Sequence, residues 1–120
     1  MSEETATEPA IPPERVTELL ESGDAQLIDV RRPYEWEAGR IEGARHIEIN
    51  DLTGEAESIA KDRPVIFYCR SGSRSGLAAA AFRQAGWDAY NLDGGLRAWV
   101  ERGLPLDPPD GEVAEPRPGS

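Results

Sequence analysis

The feature that most constrains the fold is an apolar run that ends abruptly at a cysteine. Residues 63–68, RPVIFY, are mostly β-branched or aromatic and are bounded by turn residues, which predicts a buried strand. Cys69 ends the run, and residues 70–76, RSGSRSG, are all small, polar or cationic. An alanine-rich stretch over about 74–84 predicts a helix that stops at Gly86. A buried strand, a tight loop and a helix in this order are typical of parallel α/β sheets.

The rest of the chain continues this alternation at short intervals. Further helices are predicted over residues 12–23, 34–38, 52–61 and 94–103, further strands over 25–30 and 87–92, and an extended segment over 41–49. Strands that alternate with helices in this way favour an α/β fold. We expect a three-layer sandwich in which helices flank a mainly parallel central sheet.

The length of the chain and the composition of its ends predict the domain organisation. A chain of 120 residues is long enough for one modest core but too short for two. Residues 1–10 and 107–120 are acidic, rich in proline or glycine, and have almost nothing to bury, which predicts disorder. The sequence therefore predicts one folded domain over residues 11–106 between two disordered tails.

Composition argues against several classes of function. The chain has 13 basic and 23 acidic residues, and a surface with a net charge of −10 repels nucleic acid and anionic membranes. Its single cysteine excludes an internal disulfide and argues against a zinc site built on thiolates. The N-terminal segment lacks the basic stretch and apolar core of a signal peptide, and no stretch reaches ~18 apolar residues. We therefore expect a cytoplasmic protein without a membrane span.

Cys69 is predicted to lie at the carboxyl end of a buried parallel strand, where open α/β sheets usually hold ligands. The small residues after it let backbone N–H groups at the next helix start converge on one point, which favours an anion. A thiol at that point is stabilised as the thiolate, and the charges of Arg70 and Arg74 add to the effect. The alternative is an inert core thiol, the commonest setting of a cysteine. The only histidine, His46, lies in a predicted core segment, so the expected nucleophile works without a histidine base.

Three blocks of the sequence together resemble the rhodanese family of sulfurtransferase domains. LIDVRRPYEWEAGRIEGARHI at 27–47 is similar to the N-terminal signature of that family, and YCRSGSRS at 68–75 to its active-site loop. NLDGGLRAWVERGLP at 91–105 is similar to its C-terminal signature. The blocks occur in the order expected for the family and span most of residues 12–105.

The resemblance implies a thiosulfate sulfurtransferase that uses neither a metal nor an organic cofactor. Cys69 is then the nucleophile, which takes the outer sulfur of a small anionic donor such as thiosulfate and releases sulfite. The resulting persulfide passes its sulfur to an external acceptor, either cyanide, a thiol or the cysteine of an acceptor protein.

The resemblance also implies which residues surround the nucleophile. The predicted donor- and persulfide-binding loop consists of Arg70, Ser71, Gly72, Ser73, Arg74 and Ser75. Asp29 and Arg31 are predicted to support the site as a buried, hydrogen-bonded pair. A similar scaffold role is predicted for Glu35, Trp36, Gly39, Gly43 and His46.

Three alternatives stay open. A sulfur-relay module would hand its sulfur to one partner protein and turn over small donors poorly. A catalytically dead scaffold conflicts with the presence of Cys69 in an intact loop. A cysteine phosphatase or arsenate reductase uses similar anion-binding logic, but cysteine phosphatases have a loop one residue longer than the four residues between Cys69 and Arg74. The shorter loop suits a single sulfur atom better than a tetrahedral phosphoryl group.

Overall fold

A parallel β-sheet forms the centre of the protein. The structure is a computed structural model that describes residues 9–115 and residue 117. Within these residues the strands are β1 (Ala10–Ile11), β2 (Gln26–Asp29), β3 (Arg45–His46), β4 (Val65–Tyr68) and β5 (Ala89–Leu92). They lie in the order β1-β5-β4-β2-β3, and each neighbouring pair is parallel. The predicted α/β fold with a parallel central sheet is therefore confirmed.

Helices follow most of the strands. In the same part of the chain they are α1 (Pro13–Ser22), α2 (Pro33–Ala38), α3 (Leu52–Glu55), α4 (Ser73–Gln84) and α5 (Gly95–Glu101). The helix predicted over 52–61 is shorter than expected, because 3₁₀ turns at Ile49–Asp51 and Ala56–Ser58 flank α3. None of the described helices has the length and apolar character needed to cross a lipid bilayer.

Alternating side chains of β4 point into two apolar clusters, one on each face of the sheet. The first cluster contains side chains of β4, of Cys69 directly after it, and of α4: Val65, Phe67, Cys69, Ala78, Ala79 and Phe82. The second includes side chains of β4, α1 and α5: Ile66, Tyr68, Val16, Leu96 and Trp99. Helices thus cover both faces and produce the predicted three layers. Each large apolar side chain buried in this way contributes ~1.5–3 kcal/mol to folding, so β4 is held firmly at the centre.

The first strand lies partly in a segment for which the sequence predicts disorder. β1 pairs with Asn91 and Leu92 of β5, and the backbone N–H of Asn91 donates to the carbonyl of Pro9 at 3.0 Å. Two residues at the edge of a sheet leave no alternating pattern in the sequence, so this strand escapes prediction. Residues 1–8, for which disorder is also predicted, lie outside the described residues.

The chain after α5 packs against the domain, where the sequence predicts a disordered tail. Asp107 and Arg40 exchange two backbone hydrogen bonds with N–O distances of 2.7 and 3.1 Å. The backbone N–H of Glu112 donates to the carbonyl of Ala38 at 2.9 Å. We call residues 107–115 and 117 the C-terminal strap. Residues 116 and 118–120 lie outside the described part of the chain.

Two glycines allow the strap to lie against the end of α2. A Cβ atom at Gly39 would come within 2.7 Å of the carbonyl oxygen of Glu112, and one at Gly111 within 2.8 Å of that of Ala38. Val113 of the strap packs against the second apolar cluster. The glycine that composition associates with disorder is here the residue that permits this close backbone contact.

Candidate active site

Cys69 directly follows β4 and lies on the face of the sheet that α4 covers. Its side chain has no exposed surface. The backbone N–H groups of Gly72 and Ser75 donate to Sγ at 3.1 and 3.4 Å, and the Ser75 hydroxyl oxygen lies 3.4 Å from Sγ. The two N–H groups are hydrogen-bond donors fixed in the backbone, so they can stabilise negative charge that develops on sulfur during a reaction. These donors distinguish Cys69 from an inert thiol surrounded only by apolar atoms.

Gly72 gives the loop its sharp turn. Its φ of +104° lies in the left-handed region, which favours glycine, and α4 begins at the next residue. The chain therefore passes from strand to helix within a few residues, and N–H groups of the first helical turn face back toward Sγ. A helix as long as α4 adds ~0.3–1 kcal/mol of stabilisation for an anion at its N-terminus.

The start of α5 supports the loop from behind. The backbone N–H of Leu96 donates to the carbonyl of Cys69 at 2.8 Å, and that of Arg97 to the carbonyl of Arg70 at 3.0 Å. A Cβ atom at Gly95 would lie only 2.6 Å from the Arg70 carbonyl oxygen, so any other residue there would push the loop away. Gly95 thus fixes the backbone of the site.

A buried polar pair links the loop to β5. The Ser75 hydroxyl donates to Oδ1 of Asn91 at 2.6 Å, and Nδ2 of Asn91 donates to the carbonyl of Gly72 at 3.1 Å. One amide therefore holds two of the residues that surround Sγ. Both Ser75 and Asn91 are buried, so each would lose a needed partner if the other were removed.

Arg74 points toward α2 and forms a bidentate ion pair with Glu35. The Nη1–Oε1 and Nη2–Oε2 distances are 2.9 and 3.0 Å. Burial raises the pKa of Glu35, but hydrogen bonds from Arg74 and from the backbone N–H of Arg32 outweigh it, so the pKa of Glu35 lies below its ordinary value. The hydrogen bonds between Arg74 and Glu35 also raise the pKa of Arg74. The pair ties the loop to α2.

This ion pair predicts a pH-dependent contribution to stability. A carboxyl group whose pKa is lowered by folding stabilises the protein above its ordinary pKa, and the contribution is lost as pH falls through the lowered pKa. The free energy of unfolding of wild type should therefore exceed that of Glu35→Gln by a constant amount above about pH 5, and the gap should narrow below about pH 4.

Urea unfolding at a series of pH values measures this gap. The matched control is Glu37→Gln, which removes an exposed carboxylate from the same helix and should produce no pH-dependent difference. If the difference in the free energy of unfolding between wild type and Glu35→Gln does not change below about pH 4, the ion pair does not stabilise the fold.

Arg70 turns toward the C-terminal strap. Its Nε donates to the carbonyl of Ala114 at 3.2 Å, and its Nη2 lies 3.1 Å from Oε1 of Glu115. The sequence predicts that Arg70 and Arg74 both bind the donor, yet each guanidinium is already paired with a carboxylate. The partner of Arg74 is a buried carboxylate, whereas the partner of Arg70 is an exposed one.

Asp29 and Arg31 form a buried ion pair at the end of β2. Nε of Arg31 donates to both carboxylate oxygens of Asp29 at 2.9 and 3.0 Å, and its Nη2 donates to Oδ2 at 2.6 Å. The same Nη2 donates to the carbonyl of Gly39 at 2.7 Å. Burial lowers the pKa of Arg31, but its hydrogen bonds to Asp29 outweigh that effect and raise it above the ordinary value. The pair thus fixes the end of α2, which also carries the strap.

A cavity of about 290 Å³ opens beside the loop. Its lining comes from the start of α2, the loop and the strap: Arg32, Tyr34, Glu35, Ser71, Ser73, Arg74 and Arg117. We call this cavity the mouth. Three of its lining residues are cationic and one is anionic, so it has a net positive charge in a protein whose net charge is −10.

His46 lies away from the sulfur. Its Nε2 is 2.7 Å from the carbonyl oxygen of Arg31, and its ring stacks on Trp36 with a centroid distance of 4.9 Å. Among the described residues, no group of three or more histidine, cysteine, aspartate or glutamate side chains could hold a metal ion. The groups that donate to Sγ are the backbone N–H groups of Gly72 and Ser75.

Comparison with known proteins identifies the family. The rhodanese-like domain family matches residues 12–102. This chain belongs to that family. The thiosulfate sulfurtransferase GlpE of Pseudomonas aeruginosa is 39% identical to this rhodanese-like chain over 104 residues, which cover 86% of it and 93% of GlpE. The uncharacterized protein YqhL of Bacillus subtilis is 47% identical over 76 residues, 62% of this chain, and the match spans only 60% of YqhL.

A solved structure shows the same fold. The crystal structure of a rhodanese-related protein from Thermoplasma volcanium superposes with a TM-score of 0.76 at 26% sequence identity. The superposition covers 82% of this chain and 96% of that one. The resemblance of the three sequence blocks to the rhodanese family is thereby confirmed.

The rhodanese-like fold brings some of the predicted site residues together and separates others. Cys69, Gly72 and Ser75 meet at the sulfur, while Ser71 and Ser73 line the mouth. Arg74 lines the mouth but is bound to Glu35 of α2. Arg70 is bound to the strap. Asp29 and Arg31 pair with each other at the end of β2.

Sequence reasoning misses several groups that shape this rhodanese-like site. Asn91 gives a weak signal, as a polar residue in the strand AYNL. The role of Gly95 against the loop, and those of Arg32 and Arg117 at the mouth, have no local signal, because they depend on contacts between distant segments.

Proposed function

We propose that this rhodanese-like protein is a thiosulfate sulfurtransferase that carries sulfur as a persulfide on Cys69. The observation that carries the proposal is the convergence of the Gly72 and Ser75 N–H groups on Sγ. Groups that are fixed before reaction stabilise negative charge without having to reorganise, which favours an activated nucleophile. The similarity to the thiosulfate sulfurtransferase of P. aeruginosa supports the choice of donor.

The reaction proceeds in two balanced steps. The Cys69 thiolate attacks the outer sulfur of thiosulfate, the sulfur–sulfur bond of the donor breaks, and its electron pair leaves with sulfite. A nucleophilic acceptor then attacks the terminal sulfur of the persulfide, and the electron pair of the broken bond returns to Cys69. Cyanide leaves as thiocyanate, or a thiol acceptor leaves as its persulfide. Neither step needs an added oxidant or reductant.

The acceptor comes from outside the chain. Cys69 is the only cysteine, so no second thiol of the same chain can take up the sulfur as an internal disulfide. Because the side chain has no exposed surface, we expect donors and acceptors that reach Sγ to be small.

Intact-protein mass spectrometry tests the proposal directly. Wild type treated with thiosulfate should gain the mass of one sulfur atom, and later addition of cyanide should remove that mass and release one equivalent of thiocyanate. The lone cysteine makes the site of addition unambiguous. Absence of the added sulfur would overturn the proposed function.

The same samples separate the alternatives. A persulfide that forms readily but gives little thiocyanate would favour a sulfur-relay module that serves a partner protein. Hydrolysis of an aryl phosphate would favour a cysteine phosphatase. We expect no phosphate release, because only four residues separate Cys69 from Arg74 and because Arg74 is bound to Glu35.

A further inference from the structure

Two arginines of the mouth have no carboxylate partner among the residues that the structure describes. Arg70 and Arg74 are each paired, with Glu115 and Glu35. Among residues 9–115 and 117, by contrast, no carboxylate lies within 4.0 Å of the guanidinium groups of Arg32 and Arg117. Both of these side chains are exposed and line the mouth.

Arg117 is held at the mouth by Tyr34. Its backbone N–H donates to the Tyr34 hydroxyl at 2.9 Å, and its guanidinium carbon lies 3.9 Å from the centre of the Tyr34 ring. The Tyr34 hydroxyl in turn donates to the carbonyl of Glu115 at 3.3 Å. Stacking on an aromatic ring restricts a guanidinium while leaving its N–H groups free to bind an anion in the ring plane.

The position of Arg117 also depends on the close contact between the strap and α2. The strap reaches the mouth because Gly39 and Gly111 let the two backbones approach. The strap lies beyond residues 12–102, which are those that the rhodanese-like family matches. Its contribution is therefore additional to the loop that the family supplies.

We propose that the C-terminal strap is part of the active site, and that Arg117 and Arg32 bind the anionic group of the sulfur donor at the mouth. This rests on the proposed function, because it assigns the donor of that reaction to a surface. A dianionic donor is repelled by a protein of net charge −10. Two unneutralised guanidinium groups beside Ser71 and Ser73 offset that repulsion locally and supply charge-assisted hydrogen bonds to a sulfonate-type group.

Steady-state kinetics with thiosulfate and cyanide test this assignment. Arg117→Ala should raise the KM for thiosulfate about five-fold, the effect of losing one exposed charge-assisted contact, with a much smaller change in the KM for cyanide. Arg117→Lys should restore most of the loss, because it keeps the charge. The control Arg63→Ala removes an exposed arginine that precedes β4, at the end of the strand opposite to Cys69, and should leave both values unchanged.

A second variant moves the strap without touching the mouth. Gly111→Ala places a Cβ atom against the carbonyl of Ala38 and should displace the strap, so the KM for thiosulfate should rise as it does in Arg117→Ala. Gly54→Ala is the control, because a Cβ atom there meets nothing within 4 Å. If Arg117→Ala and Gly111→Ala both keep the wild-type KM for thiosulfate, the proposal is wrong.

Sulfite binding separates this proposal from the proposed function. Calorimetric titration of sulfite into Cys69→Ser, with and without Arg117→Ala, needs no persulfide. About five-fold weaker binding in the double variant supports the anion site even if the wild type forms no persulfide, and equal binding overturns it even if the persulfide does form.

Discussion

Cys69→Ser is expected to abolish thiocyanate production from thiosulfate and cyanide, with a loss of at least about a thousand-fold. The serine oxygen can occupy the position of Sγ and accept the N–H groups of Gly72 and Ser75, so the loop should keep its shape. An oxygen nucleophile, however, is a far weaker attacking group for divalent sulfur than a thiolate, and it forms no persulfide. The variant should therefore lose the chemistry while retaining the fold.

Thiocyanate formation and cooperative urea unfolding measure the two properties separately. Ala78→Ser is a matched control, because it adds a hydroxyl to the same apolar cluster without touching Sγ. It should keep most of the activity even if it lowers the free energy of unfolding. Turnover by Cys69→Ser above about a tenth of the wild-type rate would show that Cys69 is not the nucleophile.

Arg31→Met is expected to have the largest effect on stability, a loss of about 3–5 kcal/mol in the free energy of unfolding. The variant leaves the carboxylate of Asp29 buried without its cationic partner, and both side chains of the pair are fully buried. It also removes the hydrogen bond to the carbonyl of Gly39, which lies beside the strap.

Two further variants identify the cause of the loss. The double variant Asp29→Leu/Arg31→Met removes both charges and should be less destabilised than Arg31→Met alone. Arg45→Met breaks an exposed ion pair with Glu55 and should cost less than about 1 kcal/mol. Urea unfolding measures all three, and equal losses in Arg31→Met and Arg45→Met would contradict the expectation.

The central unit of the fold could be predicted because its signals are local. The run before Cys69 is apolar on both faces of β4, as a strand between two helical layers must be, and the change to small residues marks the turn into α4. Periodicity likewise reveals α1, whose apolar residues recur at helical spacing. These patterns reflect burial, which each segment requires wherever its neighbours lie.

The partners of the arginines could not be predicted for the opposite reason. Arg74 and Glu35 are 39 residues apart in the sequence, and Arg70 and Glu115 are 45 apart. A charged residue in a loop looks the same whether it faces a substrate or a carboxylate of another segment. The strap gives no local signal for a related reason, since its contacts are made with distant segments, among them backbone hydrogen bonds to Ala38 and Arg40.

The strongest contact to Sγ comes from the backbone of the loop. A peptide N–H is present whatever side chain is attached, so mutation of the side chains at 71 and 73 cannot remove it. The contact to Sγ is therefore independent of the amino acids displayed at these two positions. Other side chains at 71 and 73 would change what the mouth presents to a ligand while leaving the N–H groups that face the sulfur in place.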